Sequence, residues 1–230
     1  MAHKGIEIPG LVNTYYEVGP SKGYELGQIV WIPALYTNKD KVILDIDISS
    51  DPTEQALPAT LSTVDNRKYK FPVKSLNLAS NEYLFVTKGK MRPAIILTEG
   101  FTRWPTNPSE QIFLCAPLYT LDKAKISQQF VLNAQAFKLP SKFYLRPFPL
   151  YRVEESIARF EYIQTVDIYA LSPYKECGHP VTLSQEFFAL LKIQLTRYLG
   201  GGLTREDSDI VNVYGDIILD EARNQGVKIP

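Results

Sequence analysis

Histidine is nearly missing from this sequence: there are two in 230 residues, His3 near the start and His179 between a glycine and a proline. A hydrolase built on histidine and a multi-histidine metal site are therefore poor starting points. Any catalysis must rest on arginine, hydroxyls, carboxylates or tyrosine. Cysteine is equally scarce. Cys115 falls in an apolar stretch and Cys177 in a loop, with no metal-ligand spacing between them. The expectation is two free thiols in a reducing cytoplasm. No apolar run reaches the length of a membrane span, and the N-terminus has no apolar signal-peptide core. A cytoplasmic protein without membrane association is expected. Neither sign of charge dominates, since 25 basic residues balance 25 acidic ones. That argues against a general polyanion-binding surface while leaving room for a local basic groove.

Aromatic residues are abundant by contrast, with 14 tyrosines and 11 phenylalanines, suited to sheets or to a surface that stacks on bases. The length fits one domain, residues 1–230, carrying a sizeable insertion. An irregular lead-in precedes a first core strand over Leu26–Pro33. Lys41–Ile48, Thr60–Val64, Lys68–Val73 and Tyr83–Thr87 read as short strands with turns between them, so residues 36–88 form a strand-rich insertion. Ala94–Leu97 has the length and β-branching of a buried strand, with Pro93 at its first residue and Arg92 at its mouth. Phe101–Glu110 reads as a surface loop, and Ile112–Thr120 as the next strand, apolar until it ends in hydroxyls. Phe130–Phe137 and Phe143–Phe148 are further strand candidates, and Glu161–Asp167 alternates.

The period changes after Pro180. Thr182 and Gln185 have capping-box spacing, and Phe187, Leu190, Leu191, Leu195 and Tyr198 recur on one helical face before Gly200 to Gly202 stops the helix. A second helix is expected from the Thr204/Asp207 pair to about Asn224, within an extra C-terminal segment, 203–230. Its apolar side is read as Ile210, Val213, Tyr214, Ile217 and Ile218. Density of short strands followed by helical periodicity predicts a mainly β protein with C-terminal helices.

Five pieces stand in order: Gly27-Gln28-Ile29-Val30-Trp31, the Arg92-Pro93 strand, the strand ending Ala116-Pro117-Leu118-Tyr119-Thr120, the segment Ser156–Asp167, and a helix beginning Leu183-Ser184-Gln185-Glu186. In that order they resemble the MazF/PemK family of toxin endoribonucleases. The resemblance implies an SH3-like (CcdB/MazF-type) β-barrel, a homodimer, a possible antitoxin protein as partner, and single-stranded RNA as substrate. It also implies cleavage by 2′-hydroxyl attack on the adjacent phosphate, with neither metal nor cofactor. The family's catalytic arginine and strand-end hydroxyl correspond to Arg92 and Thr120, with Tyr119 the alternative at the strand end. A planar guanidinium matches a phosphate oxygen pair in a way lysine does not. Two departures stand out. Thr87-Lys88-Gly89-Lys90-Met91 replaces a glycine-rich loop with a Ser/Thr-Glu pair, and Gln164 stands where a basic residue is common.

Substrate contacts are assigned to Tyr119, Lys88, Lys90, Trp104 and Gln164. Lys88 and Lys90 either meet RNA phosphates or solvate a strand edge, and Trp104 either stacks on a base or packs in its loop. Trp31 reads as a core aromatic, Tyr162 as a sheet residue, and Glu161 as an exposed strand carboxylate rather than a general base. The other reading of the chain is a non-catalytic descendant that binds nucleic acid or a protein through the same barrel.

Overall fold

In a computed structural model of the chain, residues 5–6, 8, 14–20, 23–35, 42–46, 57–61, 68–71, 84–86, 89–102, 111–122, 125–174 and 179–227 are described. They divide into two units, one of Met1–Ala34 with Met91–Pro230 and one of Leu35–Lys90. The strands begin with β1 (Tyr16–Val18), β2 (Ile29–Leu35), β3 (Val42–Ile46), β4 (Leu57–Leu61), β5 (Lys68–Phe71) and β6 (Leu84–Val86). Next come β7 (Gly89–Ile96), β8 (Phe101–Thr102), β9 (Gln111–Thr120), helix α1 (Gln128–Gln135), β10 (Lys142–Leu145) and β11 (Ser156–Arg159). The chain continues through β12 (Gln164–Asp167), β13 (Ser172–Pro173), β14 (Val181–Leu183), α2 (Gln185–Tyr198) and α3 (Arg205–Asn224). The protein is mainly β, with helices at its C-terminal end.

The unit Leu35–Lys90 holds an antiparallel four-stranded sheet in the order β5-β4-β3-β6. Its β4 starts at Leu57, inside the stretch that the sequence reads as a turn, and Pro58 sits within it.

In the larger unit β9 is central. The sheet runs β10-β11-β9-β7-β2-β13, with β8 and β12 also pairing with β9. Side chains alternate between faces along a strand, and a strand covered on both faces reads as a continuous apolar run. This accounts for β2, β9 and the second half of β7. Ile29, Ile95, Ala116 and Leu118 join Phe143 and Leu191 in the larger core, against α2. Val30, Ile32, Ala94, Ile96, Cys115 and Val166 form a second core on the opposite face. Trp31 is half-buried against the first core and stacks on Tyr174 at 5.4 Å.

Two prolines stand where the pairing of β9 breaks. On one edge, β11 pairs with Leu118–Thr120 and β12 with Ile112–Cys115. Leu121 donates its N–H to the Glu155 carbonyl at 3.0 Å on that edge. Alternation puts the donorless nitrogen of Pro117 on the same side, opposite the switch between the two strands. On the other edge, Ala94–Ile96 pair with Cys115–Pro117. Leu97 N–H reaches the Leu114 carbonyl at 2.8 Å, so the nitrogen of Pro93 also faces β9, one residue past the end of that ladder. The expectation that Pro93 opens its strand is corrected: β7 begins at Gly89, and Arg92 is a strand residue.

A second correction concerns Phe130–Phe137, read as a strand but folded as α1. Ser127 caps it by accepting from Phe130 N–H, and Val131, Leu132 and Ala134 are buried. Its C-terminus closes by Phe137 N–H to the Ala134 carbonyl (3.3 Å) and Lys138 N–H to the Asn133 carbonyl (2.8 Å). That pair of hydrogen bonds usually comes with glycine in the left-handed position. Here Phe137 occupies it at φ 56°.

At α2, Ser184 rather than Thr182 is the cap, accepting from Phe187 N–H at 3.2 Å, while Thr182 pairs with Glu17 in the β1–β14 ladder. Capping of α3 follows the sequence: Thr204 Oγ1 accepts from Asp207 N–H at 3.0 Å. Its buried face differs from the expected one. Val211, Gly215, Ile218, Leu219 and Ala222 are buried, and Val213 and Ile217 are exposed. A Cβ on Gly215 would stand 2.9 Å from the Ala136 carbonyl oxygen, so α3 lies close against the end of α1. At the other end of the chain, Gly5 N–H donates to Glu155 Oε1 at 2.7 Å and Ile6 N–H to Gln135 Oε1 at 2.7 Å. A Cβ at Gly5 would run into the Tyr144 hydroxyl. No helix among the described residues is long and apolar enough to cross a membrane.

Candidate functional site

The end of β9 gathers the candidate groups. Tyr119 is opposite Ile157 of β11, and the Ala94–Pro117 pairing continued by two residues sets Arg92 across from Tyr119. Cross-strand neighbours of this kind are close enough for side chains to touch. The Arg92 guanidinium lies 4.4 Å from the centre of the Tyr119 ring. Arg159, at the end of β11, approaches the same ring at 5.1 Å and that of Tyr162 at 4.3 Å. Both are cation–π distances. The two tyrosine rings are 5.7 Å apart, tilted by 41°.

Tyr162 arrives through a local irregularity. Between β11 and β12 the chain leaves β9 in a 3₁₀ turn over Phe160–Tyr162, opposite Pro117. One turn of 3₁₀ helix puts residues three apart on one side, which brings Tyr162 beside Arg159. Glu161 in that turn bonds to Lys142 and accepts from Arg159 Nε at 3.3 Å and Nη2 at 3.0 Å. Burial alone would raise its pKa. Hydrogen bonds from Lys142, its own backbone and Arg159 outweigh that and hold the carboxyl below its ordinary 4.5. A carboxylate held ionised by two cations is a weak proton acceptor, which disfavours Glu161 as a general base.

Thr120 leaves β9 on the face opposite to Tyr119 and donates its hydroxyl proton to Glu154 Oε2 at 2.8 Å. Of the two strand-end residues, Tyr119 is the one brought against Arg92. Thr120 nevertheless shares with Tyr119, Lys142, Ile157 and Arg159 the wall of an open groove of about 510 Å³, closed on one side by the start of α1. Gln164 is set apart from this group, donating Nε2–H to the Pro33 carbonyl at 3.0 Å beside the second core. Lys90 is exposed and belongs to the Leu35–Lys90 unit. Lys88, Trp104 and Cys177 lie outside the described residues.

Reading the sequence missed Arg159, Tyr162, Lys142 and Glu154. The one available signal was the spacing of Arg159 and Tyr162, which a strand reading assigns to opposite faces. Burial pushes the Cys115 thiol up to about 12, so it is an inert core residue and no nucleophile. Among the described residues, no group of three or more histidine, cysteine, aspartate or glutamate side chains is placed to hold a metal ion. No protein-family model, curated protein or solved structure matches this chain.

Proposed function

We propose that the protein binds single-stranded RNA at the Arg92–Tyr119–Arg159 face and cleaves it as a divergent endoribonuclease of the MazF/PemK type. The observation that carries the reading is the convergence of two guanidiniums on one tyrosine ring at the rim of an open groove. RNA offers the two things this arrangement meets, a phosphate for a guanidinium and a base face for an aromatic ring. In the cleavage step the 2′-oxygen attacks the adjacent phosphorus and the bond to the 5′-oxygen breaks. A 2′,3′-cyclic phosphate and a 5′-hydroxyl result, the proton lost from the 2′-oxygen being balanced by one gained at the 5′-oxygen. Negative charge grows on the phosphate oxygens during attack, and Arg92 stabilises it there. Thr120, whose own proton points to Glu154, keeps its oxygen available to accept from the 2′-hydroxyl and orient it.

In this reading the sheet is an SH3-like barrel, supported by the change of partners along both edges of β9. The chain works as a homodimer and an antitoxin protein would cover the groove.

The test is incubation of pure protein with single-stranded RNA in EDTA. Fragments ending in cyclic phosphate are expected. Arg92→Ala should lower the rate about a hundredfold or more, on the order of 3 kcal/mol of transition-state stabilisation. Arg92→Lys should recover little of it, because a point charge does not reproduce the bidentate fork. Unchanged cleavage by Arg92→Ala would refute the assignment. RNA bound but left intact would favour a non-catalytic binding protein. Two features point that way, the opposite facing of Tyr119 and Thr120 on β9 and the pairing of Arg159 with Glu161.

A further inference from the structure

We infer that a second groove, on the far side of Thr120, is a subsite for the next nucleotide of the same RNA strand. This inference rests on the proposal that the chain binds single-stranded RNA. The groove measures about 810 Å³, within the range of about 300–1,000 Å³ common for small-ligand sites. Thr120 and Leu121 line both grooves, so a strand lying in the first reaches the second by passing over Thr120.

Its walls match a nucleotide in kind. Ile6, Pro147, Pro149 and Val153 supply apolar surface for a flat base, while Arg146 and Arg152 bring guanidiniums for a phosphate. The carboxylates present are engaged within the protein. Glu155 accepts from Gly5 N–H at 2.7 Å and from the Tyr144 hydroxyl at 2.8 Å, and Glu154 from Thr120. These hydrogen bonds fix where the two carboxylates sit in the groove wall.

The backbone that presents Arg152 is fixed. Arg152 has φ 52°, its N–H donates to the Pro149 carbonyl at 3.1 Å, and its carbonyl accepts from the Tyr174 hydroxyl at 2.7 Å. Arg146 is positioned by the ring of Tyr15, 5.1 Å from its guanidinium. Two cations set on a rigid frame around an apolar slot recognise a phosphate next to a base, where a merely solvated arginine would be held by neither turn nor ring.

The experiment is fluorescence anisotropy with a labelled octanucleotide carrying 2′-O-methyl groups, which binds without being cut. The parent is compared with Arg152→Glu, Arg146→Gln and Arg92→Ala, each checked for an unchanged thermal midpoint. Arg152→Glu and Arg146→Gln should each weaken binding about tenfold and lower the slope of log affinity against log salt by about one. Weakening by Arg92→Ala alone would overturn the subsite and leave the RNA reading standing. Weakening by the two groove arginines alone would support the subsite and displace Arg92 from the RNA path. An oligonucleotide that does not bind the parent would overturn both.

Discussion

Glu161 is held by two cations of different elements, Lys142 from β10 and Arg159 from β11. Its carboxyl therefore titrates lower in the folded protein than in the unfolded chain. A depressed carboxyl contributes stability that is full above its ordinary pKa and is lost as pH falls through the folded value. Glu161→Gln should thus unfold at lower urea than the parent at neutral pH, with a constant difference down to about pH 5 and a shrinking one below the ordinary 4.5. Urea midpoints measured across that window check it, and a difference that persists into strong acid would mean the pair adds nothing through ionisation. Arg159 gains from the same contact. Fixed by Glu161, it holds its place between Tyr119 and Tyr162 without spending rotamer freedom each time a ligand arrives.

Gly215 lies in the interior of α3, where glycine ordinarily costs about 1 kcal/mol relative to alanine. An exposed helical glycine would be improved by Gly→Ala. Here the added methyl meets a backbone oxygen at 2.9 Å, and backbone yields less readily than a side-chain end. Gly215→Ala should lower the thermal midpoint by several degrees, on the order of 1–3 kcal/mol. An unchanged or raised midpoint in calorimetry would show that α3 can step back from Ala136. The glycine was legible in the sequence, but its reason was not, because the partner is a carbonyl at the end of a helix read as a strand. That misreading has its own cause. Phe130-Val131-Leu132 has the β-branched, aromatic look of a strand, and the residue that ends α1 is a phenylalanine. Held in the left-handed region by burial against Phe143 and Tyr214, Phe137 offers no punctuation to read. The helices that do end in glycine and begin at Ser184 or Thr204 are legible to within a residue or two. Their signals are local, and that is what sequence carries best.

For the molecule as a whole, the mainly β class was legible because β2, β9 and the second half of β7 are covered on both faces and show unbroken apolar runs. The groove at the end of β9 was legible only in part. Arg92 and Tyr119 lie on strands whose register brings them together, which short motifs suggest. Arg159 and Tyr162 join them only because Pro117 interrupts the neighbouring ladder and lets the chain turn out, a tertiary event with no local spelling. Assembly belongs to this scale too. The buried face of α3, with Val211, Gly215, Leu219 and Ala222, packs on α1 and α2, while Val213 and Ile217 of the apolar side expected from the sequence stay exposed. If the homodimer proposed for this chain uses those two residues, light scattering should give twice the 26.1 kDa mass for the parent. It should give the single mass for Val213→Lys with Ile217→Lys. A parent that scatters as a monomer at micromolar concentration would remove the dimer from the proposal. The attachment of Gly5 and Ile6 matters at the bench. These residues form part of the wall of the larger groove and supply one of the hydrogen bonds that hold Glu155. A clipped affinity tag or a trimming peptidase that removes residues through Ile6 therefore reshapes a ligand surface far away in sequence. Preparations need matching intact masses before a difference in nucleotide binding is credited to a mutation.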